Sequence, residues 1–384
     1  MTRNRILYLQ YGNPAASPPL ERSATQLSNA GWEVLFLGAH TAGVESLELA
    51  PQPRTRVVLL STSRGGWRLK LHYLWFCVWA SWRAVLYRPR WVYASDVLSA
   101  PVALLLKTLF GKRVLYHEHD AYDPRHATAF MRVCLTACGY LSRVSDLNVL
   151  PSDGRIDHFW RRNAVPKEKC ARVWNCPSLA EVRQPRGETI REDVRVLFHG
   201  SIVPARLPLA VLRAMTKVPE NVKLRLIGYD SIGSKGYVDR LKEEAIRLNL
   251  AARVEFFGAI SHHASLLALS DACDIGLALM PLETDDVNMR SMAGASNKAF
   301  EYLACGLPIL VSDRPEWRAM FVDPGYARCC DPEDAESIAD ALQWYVRNPD
   351  RARAMGENGR QRVLSEWNYE TQFAPVFRLI TERA

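Results

Sequence analysis

The stretch SNKAFEYLACGLPILVSD, residues 296–313, decides the fold of the second half of this chain. Its first residues form a short polar turn that contains Lys298, and Glu301 follows one turn into a predicted helix. Gly306 ends this helix, because glycine readily adopts the left-handed conformation that follows a helix. The apolar residues 309–311 then predict a buried strand. The stretch therefore predicts a helix followed by a core strand, as in an α/β domain.

The beginning of this helix has the chemistry of a phosphate site. The first N–H groups of a helix have no partner within it and carry about half a positive charge, which favours phosphate. Lys298 would add a full charge beside the polar Asn297, and the Glu301 carboxylate can accept hydrogen bonds from ribose hydroxyls. The pattern favours a bound sugar nucleotide. An ordinary amphipathic helix with a glycine cap is the alternative.

The same segment resembles the donor-site signature of the retaining, GT-B-fold glycosyltransferases of family four. In that family a glutamate on this helix binds the donor ribose, and Glu301 is the residue that matches it. The commoner form of the signature has a second glutamate eight positions earlier, where this chain has Ala293. The chain resembles a subgroup that lacks this glutamate and has an Asn-Lys turn before Phe-Glu-Tyr, here Asn297 and Lys298.

The length, composition and charge limit the class of protein. A chain of 384 residues with 48% hydrophobic and 23% charged residues is expected to form about two globular domains. Residues 1–188 carry a net charge of +11 and residues 189–384 carry −3. The basic half indicates an anionic partner: phospholipid, a lipid-linked diphosphate or nucleic acid. Nucleic acid is disfavoured because no recognition-helix pattern accompanies the dispersed basic residues. A solvated basic face without a partner is the alternative.

The cysteines and the N-terminus indicate the compartment. Nine cysteines are an odd number, and no CxxC pair occurs, which favours free thiols in a reducing environment. The N-terminal residues pass from a charged start into a strand pattern without the apolar region of a signal peptide. We therefore expect a cytoplasmic protein, with peripheral attachment to the cytoplasmic membrane face as a further possibility.

The aromatic segment LHYLWFCVWASWRAVLY, residues 71–87, raises the question of a membrane contact. It is shorter than a typical membrane span and is interrupted by Arg83. The sequence leaves two interpretations open: a mostly buried helix, or a helix whose aromatic edge rests on a bilayer surface. In the second case the flanking basic residues would contact the membrane, namely Arg64, Arg68, Lys70, Arg88 and Arg90.

Strand and helix patterns alternate along the whole chain, which predicts doubly wound parallel α/β sheets. The family resemblance implies the GT-B fold, with two Rossmann-like domains facing each other across a cleft and a C-terminal helix that crosses back to the first domain. We expect an acceptor-side domain of residues 1–182 joined by the crossover helix 366–384, and a donor-binding domain of residues 193–365. Residues 173–177 (VWNCP) resemble the short strand and turn that close the first domain. The polar residues 181–192 are interpreted as a linker.

Glycines at predicted strand ends in the second domain mark further donor contacts. Gly200, followed by Ser201, ends the first strand of this domain, where a backbone can approach phosphate closely. Arg206 resembles the basic residue that holds the donor diphosphate in the family, although an ordinary surface arginine is the alternative. Gly228 and Gly258 end two further strands and match loops near the base and sugar.

In the first domain, the segment VLYHEHDAYD, residues 114–123, places titratable groups at the carboxyl end of a strand, where α/β sheets bind ligands. His119 best matches the family histidine that lies against the donor sugar, and His117 or Glu118 is the alternative counterpart. A metal bound by the two histidines and a purely structural histidine are the competing interpretations. The resemblance implies a reaction without metal or other cofactor.

Two loops complete the predicted site. Gly12 and Asn13 lie where the first-strand loop of the family meets donor phosphate and acceptor. Asn288 lies in a loop that we expect to cover the donor hexose, where its amide could bind a sugar hydroxyl.

The resemblance implies a retaining transfer in which the acceptor hydroxyl attacks from the side on which the nucleoside diphosphate departs. His119, Arg206 and Lys298 are the predicted catalytic residues. The expected function is transfer of a sugar from a UDP- or GDP-sugar to a glycan or lipid-linked acceptor in polysaccharide or glycoconjugate biosynthesis, with no nucleic acid involved. A GT-B-fold sugar-nucleotide epimerase and a non-catalytic sugar-nucleotide-binding protein are the alternatives.

Overall fold

The computed structural model describes residues 4–41, 47–61, 66–185, 192–260 and 263–382. Arg64 and residues 186–191 of the predicted linker lie outside the described residues. The strands are β1 (Arg5–Leu9), β2 (Glu33–Ala39), β3 (Thr55–Leu60), β4 (Trp91–Ser95), β5 (Arg113–His117), β6 (Leu147–Leu150), β7 (Cys170–Arg172), β8 (Val194–Ile202), β9 (Val222–Asp230), β10 (Val254–Gly258), β11 (Ile275–Ala278), β12 (Ile309–Ser312) and β13 (Ala327–Cys330).

Helices connect most of these strands. They are α1 (Pro18–Asn29), α2 (Trp67–Tyr87), α3 (Ala100–Phe110), α4 (Ala129–Val144), α5 (Asp153–Asn163), α6 (Leu209–Met215), α7 (Tyr237–Arg247), α8 (His263–Asp271), α9 (Val287–Arg290), α10 (Asn297–Ala304), α11 (Pro315–Trp317), α12 (Ala335–Arg347), α13 (Pro349–Ser365) and α14 (Tyr369–Glu382). Within the described residues, none of these helices is both long enough and apolar enough to cross a membrane.

The chain divides into two compact units. The first comprises Met1–Asn175, Asp286–Ala295 and Tyr369–Ala384, and the second comprises Cys176–Asp285 and Ser296–Asn368. The predicted first domain ends at residue 182, whereas the first unit ends at Asn175 before its later segments. The sequence patterns also did not predict that the short segment Asp286–Ala295 belongs to the first unit.

The first unit is built on a seven-stranded parallel sheet in the order β3-β2-β1-β4-β5-β6-β7. Alternate residues of a strand point to opposite faces, so Leu7 packs into one core while Ile6 and Tyr8 pack into another. The core around Leu7 includes the inner faces of α2, α3, α4 and α5. The core around Tyr8 includes those of α1 and α14.

The last helix, α14, belongs to the core of the first unit. Its residues Tyr369, Phe373, Val376 and Ile380 are fully buried beside Tyr8. Their spacing of three or four residues puts them on one face of the helix. The tail of the chain therefore packs on the first unit, as the family resemblance implied.

The second unit contains a six-stranded parallel sheet in the order β10-β9-β8-β11-β12-β13. Its α10 helix is fixed to the sheet by Tyr302, whose hydroxyl accepts a hydrogen bond from the backbone N–H of His199 on β8 at 3.0 Å. This contact brings the beginning of α10 to the end of β8. Both units are thus doubly wound α/β domains, which confirms the predicted fold class.

Two predicted details differ in the structure. The short strand expected at residues 173–177 lies earlier, at Cys170–Arg172, because Asn175 bonds to the Gly294 carbonyl instead of continuing the sheet. The edge strand Ala327–Cys330 was not predicted, because its sequence ARCC lacks a strong strand pattern. It pairs with β12, with Ile309 opposite Ala327.

Candidate functional site

The end of β8 approaches β9 closely at two predicted glycines. Gly200 and Gly228 lie opposite each other in the parallel ladder. A Cβ atom on Gly228 would lie 1.9 Å from the Gly200 carbonyl oxygen, so a larger residue cannot replace Gly228 without moving the backbone. A Cβ atom on Gly200 would lie 3.0 Å from Lys298 Nζ, and Gly200 has a φ of 101°. The sequence needs glycine here because backbone and lysine share this space.

Lys298, in the first turn of α10, is a buried cation at this strand end. Burial, reinforced by the positive charge of Arg206 and opposed by Glu301, lowers the Lys298 pKa to about 7. Arg206 also contacts this region, because its Nη1 donates a hydrogen bond to Ser201 Oγ at 3.2 Å. The structure therefore brings together Gly200, Ser201, Arg206 and Lys298, which the sequence had proposed as one phosphate site.

Glu301 lies one helical turn beyond Lys298 and is 4% exposed. One carboxylate oxygen lies 3.2 Å from His263 Nε2, and the other lies 3.5 Å from His199 Nε2. The second ring nitrogen of His263, Nδ1, lies 2.8 Å from the Glu181 carboxylate. His263 thus connects two carboxylates, and Glu301 is held from two sides.

The two histidines around Glu301 differ in charge. Burial opposes the charged form of His263, but hydrogen bonds to Glu181 and Glu301 raise its pKa to about 10, so it is an imidazolium at neutral pH. Burial lowers the pKa of His199 to about 4 against the opposing charge of Glu301, so this ring is neutral. The arrangement places the Glu301 carboxylate beside the His263 imidazolium, where its oxygens can also accept hydrogen bonds from hydroxyl groups.

Sequence reasoning missed Glu181, His199 and His263. His199 directly precedes Gly200, and His263 follows the Gly258 loop, so their positions at strand ends were a usable signal. Glu181 gave none, because it lies in the polar segment interpreted as a linker.

The remaining predicted donor residues of this unit lie at the same sheet edge or beside it. Asn297 is the first residue of α10, and its Oδ1 is buried without a hydrogen-bond partner among the residues that the structure describes. A buried acceptor of this kind suits a ligand with a hydroxyl or N–H group. Gly258 ends β10.

In the first unit, His117 and His119 form a buried neutral pair at the end of β5. Their ring centroids are 3.7 Å apart, and Tyr93 OH lies 2.6 Å from His117 Nδ1. Burial and the nearby Arg155 charge lower the His119 pKa to about 3, and burial, His119 and Arg155 hold the His117 pKa well below its usual value. The Nε2 atom of each ring is buried and has no hydrogen-bond partner in the described part of the chain.

The Glu118 carboxylate belongs to an ion-pair network. It contacts Arg155 Nη2 at 3.1 Å and also pairs with Arg162. With the charge of Glu118 balanced by these arginines, the histidines on either side remain the groups available to a ligand. Among the described residues, no cluster of three or more His, Cys, Asp or Glu side chains is placed to hold a metal ion. The metal-independent reaction stays a prediction.

Asn288, predicted to contact the donor hexose, lies in the first unit and stabilises the loop after His119. Its Oδ1 accepts hydrogen bonds from Ala121 N at 2.7 Å and Arg155 Nη1 at 2.7 Å, and its Nδ2 donates to Ala121 O at 3.0 Å. Arg155 Nη1 also donates to the His119 carbonyl at 3.1 Å. These bonds use most of the hydrogen-bonding capacity of the Asn288 amide.

Asp96, directly after β4, stabilises the same loop by a hydrogen bond. The sequence patterns did not indicate this residue. Its Oδ1 accepts a hydrogen bond from His119 N at 2.8 Å. Burial and the negative charge of Asp120 raise its pKa to about 7, although backbone hydrogen bonds from His119 and Asp120 act in the opposite direction. Its backbone has φ 61° and ψ 173°, a region that costs a residue with a side chain about 1–3 kcal/mol. Such strain is characteristic of functional sites.

Gly12 and Asn13 lie in the loop after β1. Asn13 is buried, and its side chain stabilises this loop. Its Oδ1 accepts a hydrogen bond from Ala15 N at 3.1 Å, and its Nδ2 donates a hydrogen bond to Leu47 O at 3.0 Å. Its backbone N–H donates to Thr41 Oγ1 at 3.2 Å. The structure therefore gives Asn13 a structural role in the loop, while its predicted contact with donor or acceptor stays a prediction.

Residues 183–362, which include most of the second unit, match the family Glycosyl transferases group 1. The chain is 24% identical over 188 residues to the GDP-mannose-dependent alpha-(1-6)-phosphatidylinositol monomannoside mannosyltransferase of Mycolicibacterium smegmatis. That match covers 47% of this chain and 46% of the relative, so the chain matches about half the length of this curated protein.

Solved structures with a similar fold match the whole chain. HepE of Anabaena, in complex with UDP and glucose, has a TM-score of 0.75 at 18% identity, over 99% of this chain and 100% of that chain. Sucrose-phosphate synthase from Thermosynechococcus elongatus has a TM-score of 0.74 at 19% identity, over 100% of both chains. At these identities the likeness concerns the fold.

Proposed function

Because residues 183–362 of this chain belong to the family Glycosyl transferases group 1, we propose that the protein is a retaining glycosyltransferase. It moves a hexose from a UDP- or GDP-sugar to a glycan or lipid-linked acceptor. The observation that carries this proposal is the set formed by the buried Lys298 and Glu301 and the half-buried Arg206 near the end of β8, inside the family domain.

The cations of this set suit the diphosphate of the donor. The lack of a side chain at Gly200 lets the Lys298 ammonium approach the end of β8, and the first N–H groups of α10 add partial positive charge. Lys298 and Arg206 would each contribute charge-assisted hydrogen bonds worth about 1.5–3 kcal/mol. These contacts strengthen as negative charge grows on the leaving diphosphate, which makes them catalytic rather than only binding interactions.

Glu301 suits the ribose of the same donor. A carboxylate accepts hydrogen bonds from two neighbouring hydroxyls, and the imidazolium of His263 fixes its orientation. The buried acceptor Asn297 Oδ1 offers a further contact for a hydroxyl or N–H group. Together these groups favour a nucleoside diphosphate over inorganic phosphate.

We propose the following transfer, in line with the family resemblance. The bond between the anomeric carbon and the diphosphate oxygen breaks, a bond to the acceptor oxygen forms on the same face, and the acceptor proton passes to the departing phosphate oxygen. Lys298 and Arg206 stabilise the departing charge. His119, neutral at pH 7, is proposed to orient a donor sugar hydroxyl, and no metal is required in this scheme.

The relatives support the substrate class without fixing it. The name of the mycobacterial protein includes GDP-mannose and a phosphatidylinositol mannoside, whereas HepE was solved with UDP and glucose. We therefore leave the base as uracil or guanine and favour a lipid-linked acceptor, which would bring this protein to the cytoplasmic face of a membrane.

A panel of UDP- and GDP-sugars, screened by thermal shift and then by nucleotide release, tests the proposal. We expect one nucleotide to bind and Glu301→Ala to weaken its binding at least about tenfold, because ribose hydrogen bonds are lost. Glu243→Ala, an exposed change on α7, is the control.

The outcomes separate the candidate functions. Release of nucleoside diphosphate only with an acceptor supports transfer. Conversion of the donor sugar without release indicates an epimerase, and binding without turnover on any acceptor indicates a sugar-nucleotide-binding protein. Unchanged affinity in a folded Glu301→Ala variant removes Glu301 from the site.

A further inference from the structure

The outer face of α2 is an exposed apolar surface. Its outward residues are 40–67% exposed, and they are Trp67, Leu71, Leu74, Trp75, Val78, Trp82, Val85 and Leu86. At 100° per residue they lie within a sector of about 120°. The opposite side, with Phe76, Ala80 and Ala84, is fully buried in the core of the first unit. This helix is therefore apolar toward solvent as well as toward the core.

Two neighbouring helices extend this surface. The helix α3 packs against both α2 and α4, and all three bury their inner faces in the same core. Leu109 of α3 is 72% exposed and Val133 of α4 is 68% exposed, and further exposed apolar residues on these helices are Leu105, Phe110, Tyr140 and Val144. Single exposed apolar residues are ordinary, but a continuous patch on three adjacent helices indicates an interaction site. We call it the α2-α3-α4 surface.

The charges of these helices identify the kind of partner. All charged residues of α2, α3 and α4 are basic: Arg68, Lys70, Arg83, Lys107, Arg132 and Arg143. The helices α1 and α14, on the other side of the same sheet, carry charges of both signs. An apolar face with basic residues and tryptophans, and without acidic residues, is the composition of a helix that lies on an anionic bilayer.

A basic cavity adjoins this surface at α4. It has a volume of about 540 Å³ and is lined by residues that include Tyr122, Arg132, Tyr140, Arg143 and Arg162. Arg162 pairs with Glu118, so Arg132 and Arg143 are the cations best placed to bind an anion there. Guanidinium groups bind phosphate through paired N–H donors. Tyr140 belongs both to the cavity and to the exposed apolar residues, so the two features are continuous.

We propose that the α2-α3-α4 surface docks on a bilayer containing anionic phospholipid, with the phosphate of a lipid headgroup in the cavity beside Arg132 and Arg143. The tryptophans of α2 would lie at the level of the headgroups, and the helices would lie on the membrane. This inference deepens the proposed function, because a lipid-linked acceptor is found at such a surface. A second copy of the chain fits less well, since two basic faces repel each other.

Vesicle flotation of the full chain tests the proposal. We expect binding to vesicles of phosphatidylcholine with about 30% phosphatidylglycerol, and at least about tenfold weaker binding without the anionic lipid or at about 0.5 M NaCl. A Trp75→Glu/Val78→Glu variant should lose binding at least about tenfold, because two apolar contacts become charged. The matched control is Ile246→Glu, which changes a residue of α7 that is 67% exposed in the second unit and should bind like the wild type.

A second double variant tests the role of the cavity. Arg132→Gln/Arg143→Gln should weaken binding about fivefold for each charge removed and reduce the preference for anionic lipid, while leaving the apolar contact. Tryptophan quenching by brominated lipids in the wild-type protein gives a measurement that does not depend on the folding of any variant.

The proposal is overturned if the wild type does not bind anionic vesicles, if a folded Trp75→Glu/Val78→Glu protein floats like the wild type, or if brominated lipids leave tryptophan emission unchanged. It is also overturned if the wild type is a dimer that this double variant converts to a monomer. Nucleotide affinity in solution separates the two proposals. A protein that floats but binds no nucleotide disproves the proposed function alone, and one that transfers sugar but never floats disproves the docking surface alone.

Discussion

The polar clusters at the carboxyl ends of the two sheets differ in charge although they occupy the same topological position. In the second unit, Glu301 lies beside the charged His263, and Lys298 has a pKa of about 7. In the first unit, His119 is neutral and Asp96 has a pKa of about 7. Burial opposes the charged form of both His119 and His263, so the difference comes from their neighbours: carboxylates contact His263, whereas Arg155 lies near His119. The cationic groups of the second unit suit a diphosphate and its carboxylate suits a ribose, whereas the neutral His119 of the first unit suits an uncharged hydroxyl.

The change with the largest expected effect on this comparison is Asp96→Asn. The folded pKa of about 7 exceeds the ordinary aspartic acid pKa of 3.8, so the folded state retains a proton that the unfolded state releases. The stability of the wild type should therefore fall as pH rises from about 4 to about 7, by up to about 4 kcal/mol relative to the variant. Asparagine keeps the acceptor for His119 N but does not ionise.

Urea unfolding of both proteins across this pH range measures the effect. The exposed change Glu48→Gln is the control and should not alter the pH dependence. Parallel stability curves for Asp96→Asn and the wild type would show that Asp96 is ionised in the folded protein, and the first cluster would then not be uncharged.

The variant Arg206→Ala tests the charged cluster of the second unit. Removing a cation that stabilises the leaving diphosphate should lower kcat about 100-fold while nucleoside affinity changes far less. Steady-state transfer and nucleoside binding measure the two effects, with the exposed Arg240→Ala on α7 as the control. Equal turnover of variant and wild type would remove Arg206 from the phosphate site.

The Lys298 ammonium should make donor binding depend on pH. With a pKa of about 7, it loses its charge as pH rises, and a bound diphosphate favours the charged form. Donor affinity should therefore fall about 30-fold between about pH 6 and pH 8.5. Calorimetry with an intact nucleotide sugar avoids titration of a terminal phosphate.

The variant Lys298→Met should bind weakly with little pH dependence over this interval. If the wild type binds equally well at both ends of the interval, Lys298 does not contact the diphosphate.

His263→Gln should have the smallest effect on nucleotide affinity among the variants of the nucleotide site. Nucleotide affinity should weaken about threefold, because Glu301 is held less firmly. The raised pKa of about 10 predicts that the stability due to His263 is fully present below about pH 6.5 and is lost as pH rises through about 10. Thermal unfolding at several pH values checks this, with His40→Gln, a change of an exposed residue directly after β2, as the control. A stability difference that does not change with pH would show that His263 is uncharged.

Much of the fold was predictable because its signals are local. Apolar runs such as those of β1 and β12 form buried parallel strands, and Gly306 follows the end of α10 in the left-handed conformation. Gly200 was predicted to end its strand, but β8 continues beyond it to Ile202. The donor set of Lys298 and Glu301 was predictable for the same reason, since both lie on one short helix directly before a core strand. The group 1 family match confirms the resemblance that these residues carry.

Asp96, His199 and His263 escaped prediction because, although each lies near the end of a strand, its role depends on groups that only folding brings close to it. His263 becomes a cation only because folding brings carboxylates from two distant segments, Glu181 and Glu301, to its ring. The role of Asn288 could not be predicted for the same reason. Its segment belongs to the first unit, and its amide binds Ala121, which is 167 residues away in sequence.

Local propensity and periodicity were enough to predict the alternation of strands and helices, the glycines near strand ends and the helix that carries Lys298 and Glu301, because they act between neighbours along the chain. The folded molecule was needed to find the charge states of His119, His263, Lys298 and Asp96 and the exposure of the apolar face of α2. A pKa depends on burial and on charges that approach from other segments, and exposure depends on which elements pack against a face.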